Sequence, residues 1–461
     1  MNRSILNIWA VGVGAVIGGD FFGWNPTLEA GYGGALLALF LGTVVYVLLV
    51  MTVAELSSRF PKAGGAHVYV LECVGPGAAY VTGVAEVLKT VSVTAAAVDA
   101  IAEYLTGSLG ISNSALGQNI DVFIWFFALF VLTVINCIGI KATFGFQISV
   151  LLLSISVLFI FYVGAIPFVN FSEYAVPHGW FPNGIKGFMK GLPFVLWMLL
   201  GVEEVPQAVE HVDNPSRDIP AGAGLALVTL FILGLATITL SAAAPPGTEA
   251  LIHSEAPLLT SYKAIYGPDS HMVSVISFLA MSGLIASLHS FVYFSGQVVY
   301  GLSRDSFLPA GLAKVHDTFG TPCIAFVLSG TLCFAMPLFF KIILGPTDCV
   351  NVLVGVALES GMISYFLQMI AYIRLKSCGK SCPEISDVYE SPFGVWGAYI
   401  TTFFLLFIYG GVVYLAISNF DHLLGMLFVG TLLLLSVVHY ILVVSRKESK
   451  LQYFSLANNI E

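Results

Sequence analysis

The chain alternates between long apolar runs and short polar connections. Twelve runs reach the roughly 20 mostly apolar residues that a helix needs to cross a bilayer. They lie at approximately 5–28, 33–56, 77–106, 120–140, 143–167, 187–210, 220–244, 271–300, 322–341, 347–374, 394–418 and 421–445. The pattern predicts an all-α membrane protein with 12 transmembrane helices, forming one polytopic domain over 1–461. The longest connections, 168–186, 245–270, 301–321 and 375–393, are too short and too apolar for a soluble domain. The first run starts at Ile5 with no basic region or small-residue cleavage site before it. It therefore reads as a retained helix rather than a signal peptide.

Composition agrees with this pattern. Residues are 57% hydrophobic and 10% charged, against about a quarter charged in soluble domains, so little surface faces water. The net charge of -9 says little about partners, because several acids lie inside apolar runs. No basic stripe is present, which argues against nucleic acid as a partner. Cys378 and Cys382 share a polar loop with Lys376 and Lys380. Two thiols fall short of the four ligands of a structural zinc site, so no metal is expected and the cysteines read as structural thiols. Lys and Arg set the orientation. With both termini in the cytoplasm, inner connections carry 13 basic residues and outer ones 4, Lys89 being inside the third run.

Two runs differ from the rest. The first contains Gly12 to Trp24, with Ile17, Gly18, Gly19 and Asp20 at its centre; the sixth contains Trp197, Gly201, Glu203, Glu204 and Pro206. Each joins a helix-breaking patch to carboxylates at mid-membrane. Freed backbone is tolerated there only where it lines a cavity or meets a ligand. The two are five runs apart, an odd offset that reverses direction, so 5–167 and 187–374 read as inverted repeats, with 394–445 adding helices 11 and 12. Glycine-mediated helix packing is the plainer alternative.

A charge at the bilayer centre costs about 2.5–3.5 kcal/mol, so Asp20, Glu203 and Glu204 need water, a partner or a cationic ligand. Asp20 falls near the start of the outer half of helix 1, where free N–H groups attract anions. A carboxylate supplied there by the protein competes with one on a substrate, which favours a compact organic cation. Glu203 or Glu204 would then attract its ammonium. The alternative is that Asp20 caps the half-helix and the glutamates are protonated. Phe21, Phe22, Trp24 and Trp197 flank the breaks, with Phe291 and Tyr293 in helix 8, and ammonium groups gain about 0.5–2 kcal/mol over aromatic faces. Glu86 and Lys89 share a helix face at i,i+3, as an internal ion pair or a proton-coupling element. Asp99 and Glu103 lie towards a wetter outer end. Glu359 and His289 are further candidates, a lone His in a span being more often hydrogen-bonded to backbone. Glu29 and Glu55 fall near helix ends and call for no special account.

These residues resemble the amino acid–polyamine–organocation transporter superfamily. The resemblance runs from about Asn7 to Tyr440 on four landmarks: Gly14 to Asp20; Ala54 to Gly65 with Tyr69 and Gly75-Pro76; Trp197 through Glu203 to Pro220; and Ser295 to Gln297 with Leu302 to Pro309. Gly19 to Asn25, Gly83 to Glu86 and Gly283 to His289 look most like bacterial ethanolamine permeases. The resemblance implies a five-plus-five inverted repeat of the LeuT type with broken helices 1 and 6, two further helices, and alternating access. It implies that the Ile17–Asp20 segment cradles the substrate head group, that Trp197 gates it, that Phe291 packs near it, and that Glu203 is proton-linked. The chain departs from amino acid carriers in having Asp20 where they keep glycine. It also lacks the helix-5 lysine of some proton-coupled members, since Phe144 to Ala165 contains none.

The expected function is secondary active transport of a small organic amine, ethanolamine for choice, without a cofactor and with H+ or Na+ as coupling ion. Serines in helix 8 (Ser287, Ser290, Ser295) keep sodium open. An amino acid or polyamine permease is the alternative; a non-transporting receptor or partner subunit is the alternative of another class. No catalytic triad order, metal-ligand cluster or nucleotide motif is evident, which argues against an enzyme or a primary pump. A plasma membrane location is expected, as monomer or homodimer.

Overall fold

The computed structural model describes residues 2–108, 117–254, 256–267, 271–345, 349–377 and 388–445. The loop with Cys378, Lys380 and Cys382, and the basic residues Arg446, Lys447 and Lys450, lie outside the described residues. Twelve helices are long and apolar enough to cross a membrane: span 1 Arg3–Phe21, span 2 Asn25–Arg59, span 3 Pro76–Thr106, span 4 Ile120–Ile138, span 5 Ile140–Phe168, span 6 Gly184–His211, span 7 Pro215–Ala243, span 8 Val275–Arg304, span 9 Cys323–Leu344, span 10 Cys349–Ser377, span 11 Gly394–Ser418 and span 12 Phe420–Val444. No strand occurs among the described residues.

Span 1 ends earlier than its apolar run. Its helix stops at Phe21, and Gly23 (φ 80°) and Pro26 turn the chain into a 3-10 segment, Asn25–Ala30, that leads into span 2. Hydropathy does not register that turn, because Phe22, Trp24 and Leu28 are themselves apolar. The connection between spans 7 and 8 carries two short helices, Thr248–Ile252 and Pro257–Tyr266.

Span 3 is the axis of the bundle. It packs against spans 8 and 10 and touches spans 4, 9 and 12, and 83% of its apolar window is buried, against 17% for span 12. Span 1 packs on spans 5, 7 and 8, and span 2 on spans 7 and 11. Lipid is as apolar as a leucine side chain, so these contacts depend on close fit and polar links rather than on exclusion of water. Glycines supply the fit: a Cβ at Gly83 would lie 2.3 Å from Leu302, and one at Gly296 2.0 Å from Phe326. Phe123, Phe126, Phe127 and Phe130 of span 4 face outward instead.

The span ends on the face of the 60–75 connection are tied by charge. Glu55 was expected to need no account near a helix end. It is fully buried and joins three elements. Its carboxylate meets Lys376 at 2.6 Å and Arg59 at 3.2 Å, and accepts hydrogen bonds from the Tyr372 hydroxyl (2.6 Å) and the Ser391 N–H (2.9 Å). A second cluster pins the 60–75 connection. Arg304 meets Glu210 at 3.0 Å and donates to the Ala63 carbonyl at 2.7 Å, while His67 Nε2 meets Asp305 at 2.9 Å. Burial opposes the charge on Asp305, but His67 and Arg304 outweigh it and hold its carboxyl below the usual range.

Two outcomes follow from these contacts. Glu55→Ala leaves Lys376, Arg59 and a buried backbone N–H without their acceptor and should cost about 3–5 kcal/mol, read as thermal unfolding of the purified protein in detergent. A carboxyl depressed on folding stabilises above its unfolded value, about 3.9, and that contribution fades as pH falls through its folded value. Acidification below about 4 should therefore raise proteolysis of the 60–75 connection, and Asp305→Asn should weaken that added response.

Candidate functional site

The site forms where two helices lose their regularity. In span 1 the helix Arg3–Val16 ends, Ile17 turns, and a four-residue piece, Gly18–Phe21, follows before Phe22 becomes extended. Tyr104 of span 3 donates to the Phe21 carbonyl at 2.8 Å and anchors that piece. In span 6 the helix Gly184–Val195 passes into a 3-10 turn at 196–198, then the helix breaks at Gly201 before a second 3-10 segment, Val202–His211. Gly201 has φ 120°, a conformation closed to side-chain-bearing residues, and a Cβ there would also sit 2.9 Å from the Phe291 ring.

The breaks touch each other directly. A Cβ on Gly19 would stand 2.5 Å from the Trp197 carbonyl, so only glycine lets the two backbones approach. Phe22 meets Trp197 edge-on at 5.7 Å. Around this contact lies a small cavity, lined by Ala15, Val16, Gly19, Phe22, Val93, Ala97, Trp197, Leu200, Ser287 and Phe291. Among these lining residues the one polar side chain is Ser287, whose hydroxyl donates to the Ala15 carbonyl.

The carboxylates lie around this cavity rather than in it. Asp20 is buried on the half-helix, but its Oδ1 lies in hydrogen-bond contact with Thr237 Oγ1 of span 7 at 2.8 Å. The residue expected to set the charge of the lining thus faces span 7. Glu203 and Glu204 were expected to meet a substrate ammonium. The structure places the protein's own ammonium there instead. Lys89 Nζ contacts Glu86 at 3.1 Å, Glu203 at 3.3 Å and Glu204, all four groups being buried. Three N–H bonds thus meet three carboxylates, and the Tyr365 ring lies 4.9 Å from the same nitrogen. Tyr365 also donates to Glu203 at 2.5 Å, and Ser364 donates to Glu86. The pair at i,i+3 is one side of a larger cluster joining spans 3, 6 and 10.

The cluster reaches both ways. Towards the cavity, the Gly201 N–H donates to Glu203 Oε2 at 2.8 Å, so one carboxylate holds both Lys89 and the break of span 6. Towards the 60–75 connection, Gln207 donates to Glu204 at 3.2 Å and accepts from the Gly64 N–H at 3.1 Å. A polar cavity of about 190 Å³, lined by Gly65, Tyr69, Glu203, Glu204, Gln207 and Gln368 among others, lies along this path.

The remaining candidates fall elsewhere. Ile17 and Gly18 are buried behind the lining, with Gly18 against Ser287, and the Phe21 ring covers Gly283. His289 Nδ1 meets a side chain, Gln147 Oε1, at 2.6 Å, not the backbone. Gln147 in turn donates to the Ala286 carbonyl at 3.2 Å, in space left by Gly14. Glu359 accepts from Tyr409 at 2.8 Å. Among the described residues no group of three or more His, Cys, Asp or Glu could hold a metal ion. Sequence reasoning missed Val93, Ala97 and Leu200, which are ordinary residues for a span, and Tyr365, Thr237 and Gln147, whose partners are distant in sequence.

Comparison with known proteins agrees with this architecture. A family described as amino acid permease matches residues 4–443. The chain is similar to an uncharacterized transporter of Rhizobium meliloti, with 29% identity over 78% of this chain and 75% of that one. It is similar to the methylthioribose transporter of Bacillus subtilis, with 25% identity over 85% of this chain and 84% of that one. It also matches the vacuolar cationic amino acid transporter 4 of Arabidopsis thaliana, with 27% identity over 74% of this chain, and spans 58% of that protein's length.

Removing the ammonium tests the cluster. Lys89→Met leaves three carboxylates facing one another in the membrane and should cost about 3–5 kcal/mol, read by thermal unfolding. Adding Glu204→Gln to that variant should recover part of the loss; equal stability of Lys89→Met and the wild type would remove the cluster from the account.

Proposed function

The chain belongs to the amino acid permease family, and from that premise we propose a secondary active transporter that carries a small organic amine by alternating access, with ethanolamine the best fit. The family and the relatives are membrane transporters, not enzymes. The observation that carries the substrate reading is the cavity between the two breaks. Phe22, Trp197 and Phe291 are among its lining residues, and no basic side chain lines it. The nearby ionisable groups are in acidic excess: Asp20, Glu86, Glu203 and Glu204 against Lys89. An ammonium gains from that field and from the ring faces. A substrate carboxylate finds no cation among the lining residues.

The inverted-repeat reading draws support from helix pairing. Shifting each span by five turns the contact of 1 with 7 into that of 6 with 2, 3 with 10 into 8 with 5, and 3 with 4 into 8 with 9; each of these pairs is in contact. In this reading 5–167 and 187–374 rock about the central cavity, and the gradient of H+ or Na+ drives the cycle. The excess of Lys and Arg on the connections of one face supports cytoplasmic termini, in the plasma membrane. An amino acid permease is the second reading, favoured by the name of the plant relative.

Purified protein in liposomes, offered labelled ethanolamine, alanine, arginine and putrescine, separates the readings. Ethanolamine uptake should exceed that of alanine and arginine by at least about tenfold, a difference of about 1.4 kcal/mol. Trp197→Ala, which removes one wall, should lower ethanolamine affinity. Preference for arginine or alanine over ethanolamine would install the amino acid reading.

A further inference from the structure

We propose that Asp20 is a proton-binding site of the transport cycle, held by a hydroxyl chain through Thr237 and Tyr162, and that a cationic substrate displaces its proton. The proposal rests on the amine reading above for its substrate, but the site itself stands on hydrogen counting.

Three oxygen contacts line up behind the half-helix of span 1. Asp20 Oδ1 lies 2.8 Å from Thr237 Oγ1. Thr237 Oγ1 lies 2.7 Å from the Tyr162 hydroxyl. That hydroxyl lies 3.1 Å from the Leu233 carbonyl. Each contact needs one hydrogen, and each hydroxyl owns one. Thr237 and Tyr162 supply two hydrogens for three contacts. The third comes from a protonated Asp20, which donates to Thr237, which donates to Tyr162, which donates to Leu233. When Asp20 is ionised the chain reverses: Tyr162 donates to Thr237 and Thr237 to Asp20, and the Tyr162–Leu233 contact loses its hydrogen while the Leu233 carbonyl keeps the helical N–H of Thr237. The two arrangements differ by one proton and need only rotation of two hydroxyls.

The surroundings favour the first arrangement while the cavity is empty of cations. No Lys, Arg or His forms an ion pair with Asp20 among the described residues. Span 3 presents Tyr104, beside Glu103, to the half-helix backbone. Span 5 presents Tyr162, with Tyr262 of the helix Pro257–Tyr266 nearby. Span 6 presents the backbone of Trp197 and Met198, span 7 Thr237, and span 8 Gly283 and Ser287. None is a cation, and a bare charge in such a place is costly. Gly19 and Phe22, one and two residues from Asp20, line the cavity. An ammonium bound there stabilises the ionised carboxylate through a medium of low dielectric. The step is therefore an exchange: protonated Asp20 plus an amine cation gives ionised Asp20 beside the bound amine, and one proton leaves to water.

Purified protein in weakly buffered detergent solution is mixed with ethanolamine while a pH dye counts protons. The wild type should release about one proton per amine bound at a pH where the empty site is protonated. Asp20→Asn should release none, and its amine affinity should no longer change with pH. Infrared difference spectra need no substrate: the C=O band of a protonated carboxyl should be absent from Asp20→Asn and displaced in Thr237→Val. Thr237→Val also serves if Asp20→Asn does not fold. A carboxyl band unchanged in these variants, or proton release that persists in Asp20→Asn, overturns the proposal. If the wild type binds no ethanolamine while the band behaves as described, the amine reading and the exchange step fall and the proton site remains.

Discussion

An ammonium enclosed by three carboxylates fixes the middle of this bundle. In a bilayer the burial of apolar surface gives little preference for one helix register over another, because lipid solvates apolar side chains as well as a neighbouring helix does. Directional contacts have to choose the register. Lys89 provides them for span 3, Glu203 and Glu204 for span 6, and Ser364 and Tyr365 for span 10, with Tyr46 of span 2 joined through the Tyr365 hydroxyl at 3.2 Å. A slide of span 3 by one residue turns Lys89 by about 100° and parts it from Glu203 and Glu204, while Glu86 moves with it. A buried ion cluster is weak evidence for stability in itself. Its force here is that the wrong registers are so much worse.

The cavity inherits its shape from that choice. Glu203 is held by Lys89 on one oxygen and holds the Gly201 N–H on the other. Gly201 sets the path of the chain past the Phe291 ring, and the turn before it carries Trp197. Span 1 leans on span 6 where Gly19 meets the Trp197 carbonyl, and on span 8 where Phe21 covers Gly283. The cavity is thus bounded by backbone whose irregularity is stabilised from outside it. That arrangement leaves the lining apolar and aromatic while the charges stay in contact with one another.

How much of this could be read along the chain depends on the range of the physics involved. Twelve spans and two breaks were legible because apolar length and a glycine patch are local. The Glu86–Lys89 neighbourhood was legible because i,i+3 spacing places two side chains on one face. Its joining to Glu203 was not, since 114 residues separate that glutamate from Lys89 and each is satisfied by other partners in principle. Glu55 was misjudged because distance from a helix end says nothing of the neighbours that bury it. Asp20 was placed correctly on the half-helix, yet a sequence does not reveal which way a carboxylate turns. Thr237 and Tyr162, its hydroxyl chain, are unremarkable residues in apolar helices.

The two faces of the bundle are tied by different chemistry, and this bears on how the ends could open. On the face of the 60–75 connection, Arg304 and Glu210 form an ion pair partly open to water, His67 is hydrogen-bonded to Asp305, and Lys376 meets the buried Glu55. On the opposite face, Asn25 turns its amide towards the Leu251, Ile252 and Ser254 carbonyls at 2.7–3.1 Å, fastening the 248–254 segment over the first residues after the half-helix. An amide has two hydrogens for these three acceptors, so this tie is already short of donors. Movement of the half-helix must pull on Asn25, because only Phe22, Gly23 and Trp24 separate them. The carboxylate of Asp20 rides on the same four-residue piece. A change in the charge of that carboxylate therefore acts at the one place in the fold where cavity wall, amide tie and broken helix share a few residues of backbone.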